Sequence, residues 1–113
     1  MPVVTKTIDQ LRAVEFAPFQ AAIKSGIDGL MIAHVAYPAL DSSVLPATVS
    51  SPIVHDLLRG PLALGGVVFT DDMGMKGITD VMSPEQASVR AIQAGADILL
   101  CVREDDPDSC KPS

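Results

Sequence analysis

Three groups of residues able to do chemistry stand at the ends of apolar runs in this chain. His34 follows Gly29-Leu30-Met31-Ile32-Ala33, Thr70-Asp71-Asp72 follows Gly66-Val67-Val68-Phe69, and Cys101-Val102-Arg103 follows Ala96-Asp97-Ile98-Leu99-Leu100. The acidic doublet is the most informative. A carboxylate that terminates an apolar strand must be paired, or its pKa moves, because an ionised group is costly to bury. Asp71 and Asp72 therefore read as an anionic nucleophile or a cation ligand ahead of a plain loop cap. His34 reads first as a buried structural histidine and second as a pocket residue. His55, beside Asp56 within a helix, reads as surface. Met73, Met75 and Met82 could line a pocket, although Met more commonly fills irregular core space.

The elements that position these groups follow from capping signals and breakers. Thr7 with Gln10 three residues later has capping-box form and opens a helix near residue 8. Pro18 predicts a break near Phe16–Ala17 and a fresh helical start, ended by Gly26. Gly29–Ala33 reads as a strand buried on both faces, and the long loop 37–50 as functional by its length. Ser51-Pro52 opens a helix through Arg59, Gly66–Asp71 forms a second buried strand, and Ser83-Pro84-Glu85-Gln86 is the cleanest helix start in the chain. Ala96–Val102 reads as a third buried strand. The residues from Arg103 onward read as a polar, disordered tail.

One internal echo ties these pieces together. Ala22–Leu30 and Ala91–Leu99 share the pattern A-I-x-x-G-x-D-x-L, a helix end, a Gly turn, an Asp and a buried strand. Asp28 and Asp97 then sit at strand starts, away from any site at the strand ends, as turn devices. Strands recur at about the length of one βα unit, which implies an α/β fold with a parallel sheet. Two architectures satisfy this: an open doubly wound sheet, or an arc of a (β/α)₈ barrel.

Composition narrows the function classes. Eight basic residues against fourteen acidic give a net charge of −6, which leaves no basic face for nucleic acid. Hydrophobic residues make up 48% of the 113, too many for a disordered chain. No apolar run approaches a membrane span, and Met1–Gln10 lacks the features of a signal peptide, so a soluble, cytoplasmic protein is expected. Cys101 and Cys110 match neither a metal spacing nor a disulfide framework and are expected to be free thiols.

The ordered motifs from Arg12 to Leu100 resemble the N-terminal domain of glycoside hydrolase family 3, in its bacterial β-N-acetylhexosaminidase branch. The stretches that carry the resemblance are F-x-P-F-x-x-A-I-x-x-G at Phe16–Gly26, L-M-I-A-H-V at Leu30–Val35 and Y-P-A-L-D at Tyr37–Asp41. P-A-T-V-S at Pro46–Ser50, L-L-R at Leu57–Arg59, G-V-V-F-T-D-D-M-G-M-K at Gly66–Lys76 and A-I-x-A-G-A-D-I-L-L at Ala91–Leu100 continue it in order. The chain departs from the family at Pro61-Leu62-Ala63-Leu64, where an acidic or polar residue followed by Leu-Gly-Phe is usual.

The resemblance implies a partial (β/α)₈ TIM barrel over residues 1–102, holding about three βα units of its C-terminal half. It makes Asp71 the catalytic nucleophile and His34, Asp72 and Met75 substrate-binding residues, with neither metal nor organic cofactor. The implied substrate is an amino-sugar glycoside, with terminal N-acetylglucosamine removed from cell-wall muropeptides. The family's acid/base group, an Asp-His pair on an earlier loop, is expected upstream of Met1. The chain alone is accordingly expected to be inactive, and to associate with itself or with the missing barrel half. A β-glucosidase of the same family is the near alternative, disfavoured because those enzymes tend to place an aromatic residue where this chain has Asp72. A receiver-like phosphoacceptor module is the alternative from another class. It fits less well, since the doublet follows the second visible strand and no strand-end Lys is present.

Overall fold

The computed structural model describes residues 1–101, so the predicted tail, Val102 and Arg103 lie outside the described residues. Two short strands, β1 (Gly29–Ile32) and β2 (Val67–Thr70), pair in parallel with Gly29 opposite Val67 and Ile32 opposite Thr70. The segment expected to be a third strand runs along the far edge of β2 but is reduced to one parallel bridge, Phe69 to Ile98. Side chains explain the reduction. The Val68 N–H donates to the Asp97 carboxylate at 2.9 Å, and the Leu100 N–H donates to the Thr70 hydroxyl at 3.0 Å. Two backbone donors that could extend a ladder are thereby satisfied by side-chain oxygens instead.

Burial on both faces of the strands is not what the structure shows. Leu30, Ile32 and Val68 are buried against Ile23, Ile53, Val54, Leu58, Ala87, Ala91 and Ala94 from the helical segments. The opposite face leaves Met31, Val67 and Ile98 at 45%, 40% and 53% exposure. The strands alternate because helices cover a single side of the sheet.

The helices follow their caps closely and their breakers less so. Thr7 and Gln10 form the expected capping box at α1 (Ile8–Gln10). No break occurs at Pro18. The chain passes through a π segment, Leu11–Glu15, straight into α2 (Phe16–Lys24), and the Phe16 N–H donates to the carbonyl of Leu11. This widened turn, directly before the proline, lets the helix run on past a residue that has no N–H. A second π segment, Pro52–Leu58, connects β1 to β2. After β2 come α3 (Lys76–Thr79), a short helix without a sequence signal, and α4 (Pro84–Ala94). Ser83 caps α4 by accepting from the Gln86 N–H, and Gly95 ends it at φ 122°, as its sequence predicts.

Arg59 ties the N-terminal ends of the sheet together. Its guanidinium donates to the carbonyls of Leu64 and Gly66, at 2.9 and 2.6 Å, and to the Asp97 carboxylate at 2.9 Å. Asp28 and Asp97 thus stand at the strand starts, opposite the ends where Asp71 and His34 lie. Cys101 is disulfide-bonded rather than a free thiol. The spacing argument against a stapled multi-disulfide fold does not exclude a single bond.

Candidate active site at the strand ends

Parallel pairing in register brings the residues after β1 and those after β2 to the same end of the sheet. Asp71 is the first residue beyond β2, and its N–H donates to the Ile32 carbonyl at 2.9 Å, extending the pairing by one bond. By strand alternation Asp71 shares the uncovered face with Val67 and Phe69. Its carboxylate accepts the N–H of Asp72 at 2.8 Å, and the Asp72 carboxylate accepts the N–H of Gly74 at 2.9 Å. The second bond closes an Asx turn at Asp72, the first ties the Asp71 carboxylate to the next peptide N–H, and both aspartates are half-buried where the chain leaves the strand. Met73 anchors the turn in the core, while Met75 is exposed at its rim.

His34 lies beneath this turn. It is 4% exposed, with Nδ1 2.7 Å from the Thr48 hydroxyl and Nε2 2.8 Å from the Asp72 carbonyl oxygen. The long loop supplies Thr48 from the 3₁₀ turn Ala47–Val49. That loop is fixed from within: the Ser50 hydroxyl donates to Asp41 Oδ2 at 2.6 Å and the Ser43 N–H donates to Oδ1 at 2.9 Å. The Ser50 bond foremost, helped by Ser43 and opposed by burial, holds the Asp41 carboxyl below its ordinary range. His55 is at the surface beside Asp56, away from this cluster.

The structure thus brings together His34, Asp71 and Asp72, with Met75 at the margin, whereas Cys101 belongs to the neighbouring edge segment. Asp41, Thr48 and Ser50 were not among the predicted site residues. The motifs Y-P-A-L-D and P-A-T-V-S contain all three, and their polar members are the residues that cross-link the loop.

Comparison with known proteins decides the family. The family model described as the glycosyl hydrolase family 3 N-terminal domain matches residues 1–108. The chain belongs to this family. The beta-hexosaminidase of Idiomarina loihiensis is 38% identical over 100 residues, covering 88% of this chain and 29% of that protein. The family 3 beta-N-acetylglucosaminidase from Paenibacillus sp. str. FPU-7 superposes with a TM-score of 0.90 at 40% identity, over 97% of this chain and 21% of that one. A beta-glucoside phosphorylase bound to 2FGlc superposes at 0.84 with 28% identity, over 91% and 20%. The chain spans less than a third of the length of these relatives. Its neighbours have a TIM-barrel-type fold, of which the described residues form a small α/β piece.

Proposed function

We propose that this chain is the nucleophile-bearing part of a retaining β-N-acetylhexosaminidase, with Asp71 as the nucleophile. The observation that carries the reading is the placement of Asp71. It stands at the C-terminal end of a parallel strand, with its backbone bonded to Ile32 and its carboxylate to the Asp72 N–H, within the family segment G-V-V-F-T-D-D. Functional groups gather at that end of a (β/α)₈ barrel, where strands give way to loops around a shared crevice.

The chemistry is a double displacement. The Asp71 carboxylate attacks the anomeric carbon while an acid protonates the departing glycosidic oxygen, giving a covalent glycosyl-enzyme; water, deprotonated by the same group, then releases the sugar. The acid/base group lies outside these residues in this reading. Asp72 and Met75 supply contacts to the sugar from the turn and its rim, and His34 supports that turn from beneath. The chain corresponds to about three βα units of the C-terminal half of the barrel. The substrate proposed is terminal N-acetylglucosamine, as carried by cell-wall muropeptides in the cytoplasm, and the reaction uses no cofactor.

Exchange of residues 1–100 for the matching segment of the Idiomarina loihiensis protein tests this. The exchanged protein should hydrolyse a chromogenic N-acetyl-β-glucosaminide, and Asp71→Asn should abolish turnover while leaving the fold intact. Near-unchanged turnover in Asp71→Asn would overturn the assignment. The likeness to a beta-glucoside phosphorylase favours a second reading, a glucoside-directed member of the family. Preference for the plain β-glucoside over the N-acetylated sugar in the same assay would establish it.

A further inference from the structure

We infer that His34 is a positioning residue, which holds the Asp71–Asp72 turn from beneath and need not touch the sugar; the inference rests on Asp71 being the nucleophile. Both ring nitrogens are engaged within the chain, at 2.7 Å to the Thr48 hydroxyl and 2.8 Å to the Asp72 carbonyl. A peptide carbonyl only accepts, so Nε2 carries the hydrogen. In the neutral ring Nδ1 then accepts, and the Thr48 hydroxyl is its donor. That hydroxyl has one hydrogen, and the Ala33 carbonyl, its other acceptor, lies farther away at 3.3 Å.

His34 is packed closely at its base. His34 and Thr48 are both buried, and a Cβ added to Gly77 of α3 would stand 3.1 Å from His34 Cβ and 3.3 Å from its carbonyl oxygen. Asp72 is consequently held at both ends. Its carbonyl accepts from Nε2, and its N–H donates to the Asp71 carboxylate. An unbroken line of hydrogen bonds runs from the loop at Thr48 through His34 and Asp72 to the Asp71 carboxylate. A nucleophile must be held within a fraction of an ångström of its attack geometry, and this line orients the carboxylate.

The test uses the isotope-labelled 113-residue chain, observed by NMR at a concentration below that at which it self-associates. In the unsubstituted chain, long-range imidazole spectra should show the hydrogen of His34 on Nε2. His34→Ala should speed exchange of the Asp72 amide about five- to tenfold, as loss of one hydrogen bond would, and should move the Asp71 carboxyl carbon resonance. Thr48→Val should move both in the same direction. His34→Gln, whose side-chain amide can stand in for Nε2–H, should restore both toward the unsubstituted values. A purely structural histidine would lower the melting temperature and leave the Asp71 resonance in place, which would overturn the inference. An Nδ1–H tautomer would do the same. Should His34→Ala fail to fold, the tautomer and the Gln and Val variants still decide: a His34→Gln chain displaced further than Thr48→Val overturns the inference. Turnover surviving in Asp71→Asn would remove the nucleophile and leave these spectra as expected. Inactive Asp71→Asn with an Asp71 resonance insensitive to His34→Ala would remove His34 alone.

Discussion

Asp41 and Asp71 are both accompanied by backbone donors, yet their surroundings give them different work. Asp41 is buried in the long loop and accepts from Ser50 and Ser43; Asp71 is half-buried at a strand end. Because the folded-state pKa of Asp41 is depressed, its bonds contribute stability above the unfolded carboxylate value of about 3.9, and the contribution is lost as pH falls through the folded value. Asp41→Asn should therefore cost about 1–3 kcal/mol at neutral pH, with the difference from the unsubstituted chain shrinking below about pH 4. Denaturant melts at several pH values would check this, and a difference constant with pH would contradict it. At this scale the acidic doublet was legible, since a carboxylate closing an apolar strand is conspicuous in one dimension. The partner of His34 was not: Thr48 lies fourteen positions away, across a loop whose path depends on Asp41 and Ser50.

The connection into β2 shows what the elements require of single residues. Ala63 sits at φ 54°, in the left-handed region that favours glycine. A non-glycine residue there costs about 1–2 kcal/mol, against about 0.4–1 kcal/mol for the greater freedom of glycine in the unfolded chain. Ala63→Gly should thus stabilise the chain by about 0.5–1 kcal/mol, read as a higher denaturation midpoint; a lower one would show that Ala63 is not strained. Gly66 is the converse case. A Cβ there would fall 2.4 Å from the Asp28 carbonyl oxygen, which accepts the Val67 N–H at 2.8 Å as β2 begins. Gly66→Ala should destabilise by about 1–3 kcal/mol or more, through a backbone clash that no rotamer relieves. Caps and Gly stops were readable here because each acts within one turn of chain. Continuation through Pro18 was not, because it depends on a π segment that has no side-chain signature. The third strand was overestimated because its apolar run gave no hint that Asp97 and Thr70 would take backbone donors from the ladder.

For the molecule as a whole, the uncovered sheet face is the dominant feature. Met31, Val67 and Ile98 present apolar side chains that in the family's barrel would meet other strands. Such a face, beside a β1 edge that pairs with no further strand among the described residues, drives association. Sedimentation of the isolated chain should show concentration-dependent self-association, and a monodisperse monomer with a sharp two-state melt would contradict this. The alternation of strand and helix, and hence the parallel sheet, was legible in the repeated A-I-x-x-G-x-D-x-L device. One-sided burial was not, since a strand made to be buried on both faces reads the same with or without its neighbours. Among the described residues no helix is long and apolar enough to cross a membrane. In the proposed reaction Asp71 forms the covalent bond to the sugar. Mass spectrometry of the exchanged barrel protein, after incubation with a slow-turnover fluorinated N-acetylglucosaminide, would detect that bond. One sugar adduct is expected, on the peptide containing Asp71 and absent in Asp71→Asn. An adduct on another residue, or one that persists in Asp71→Asn, would contradict it.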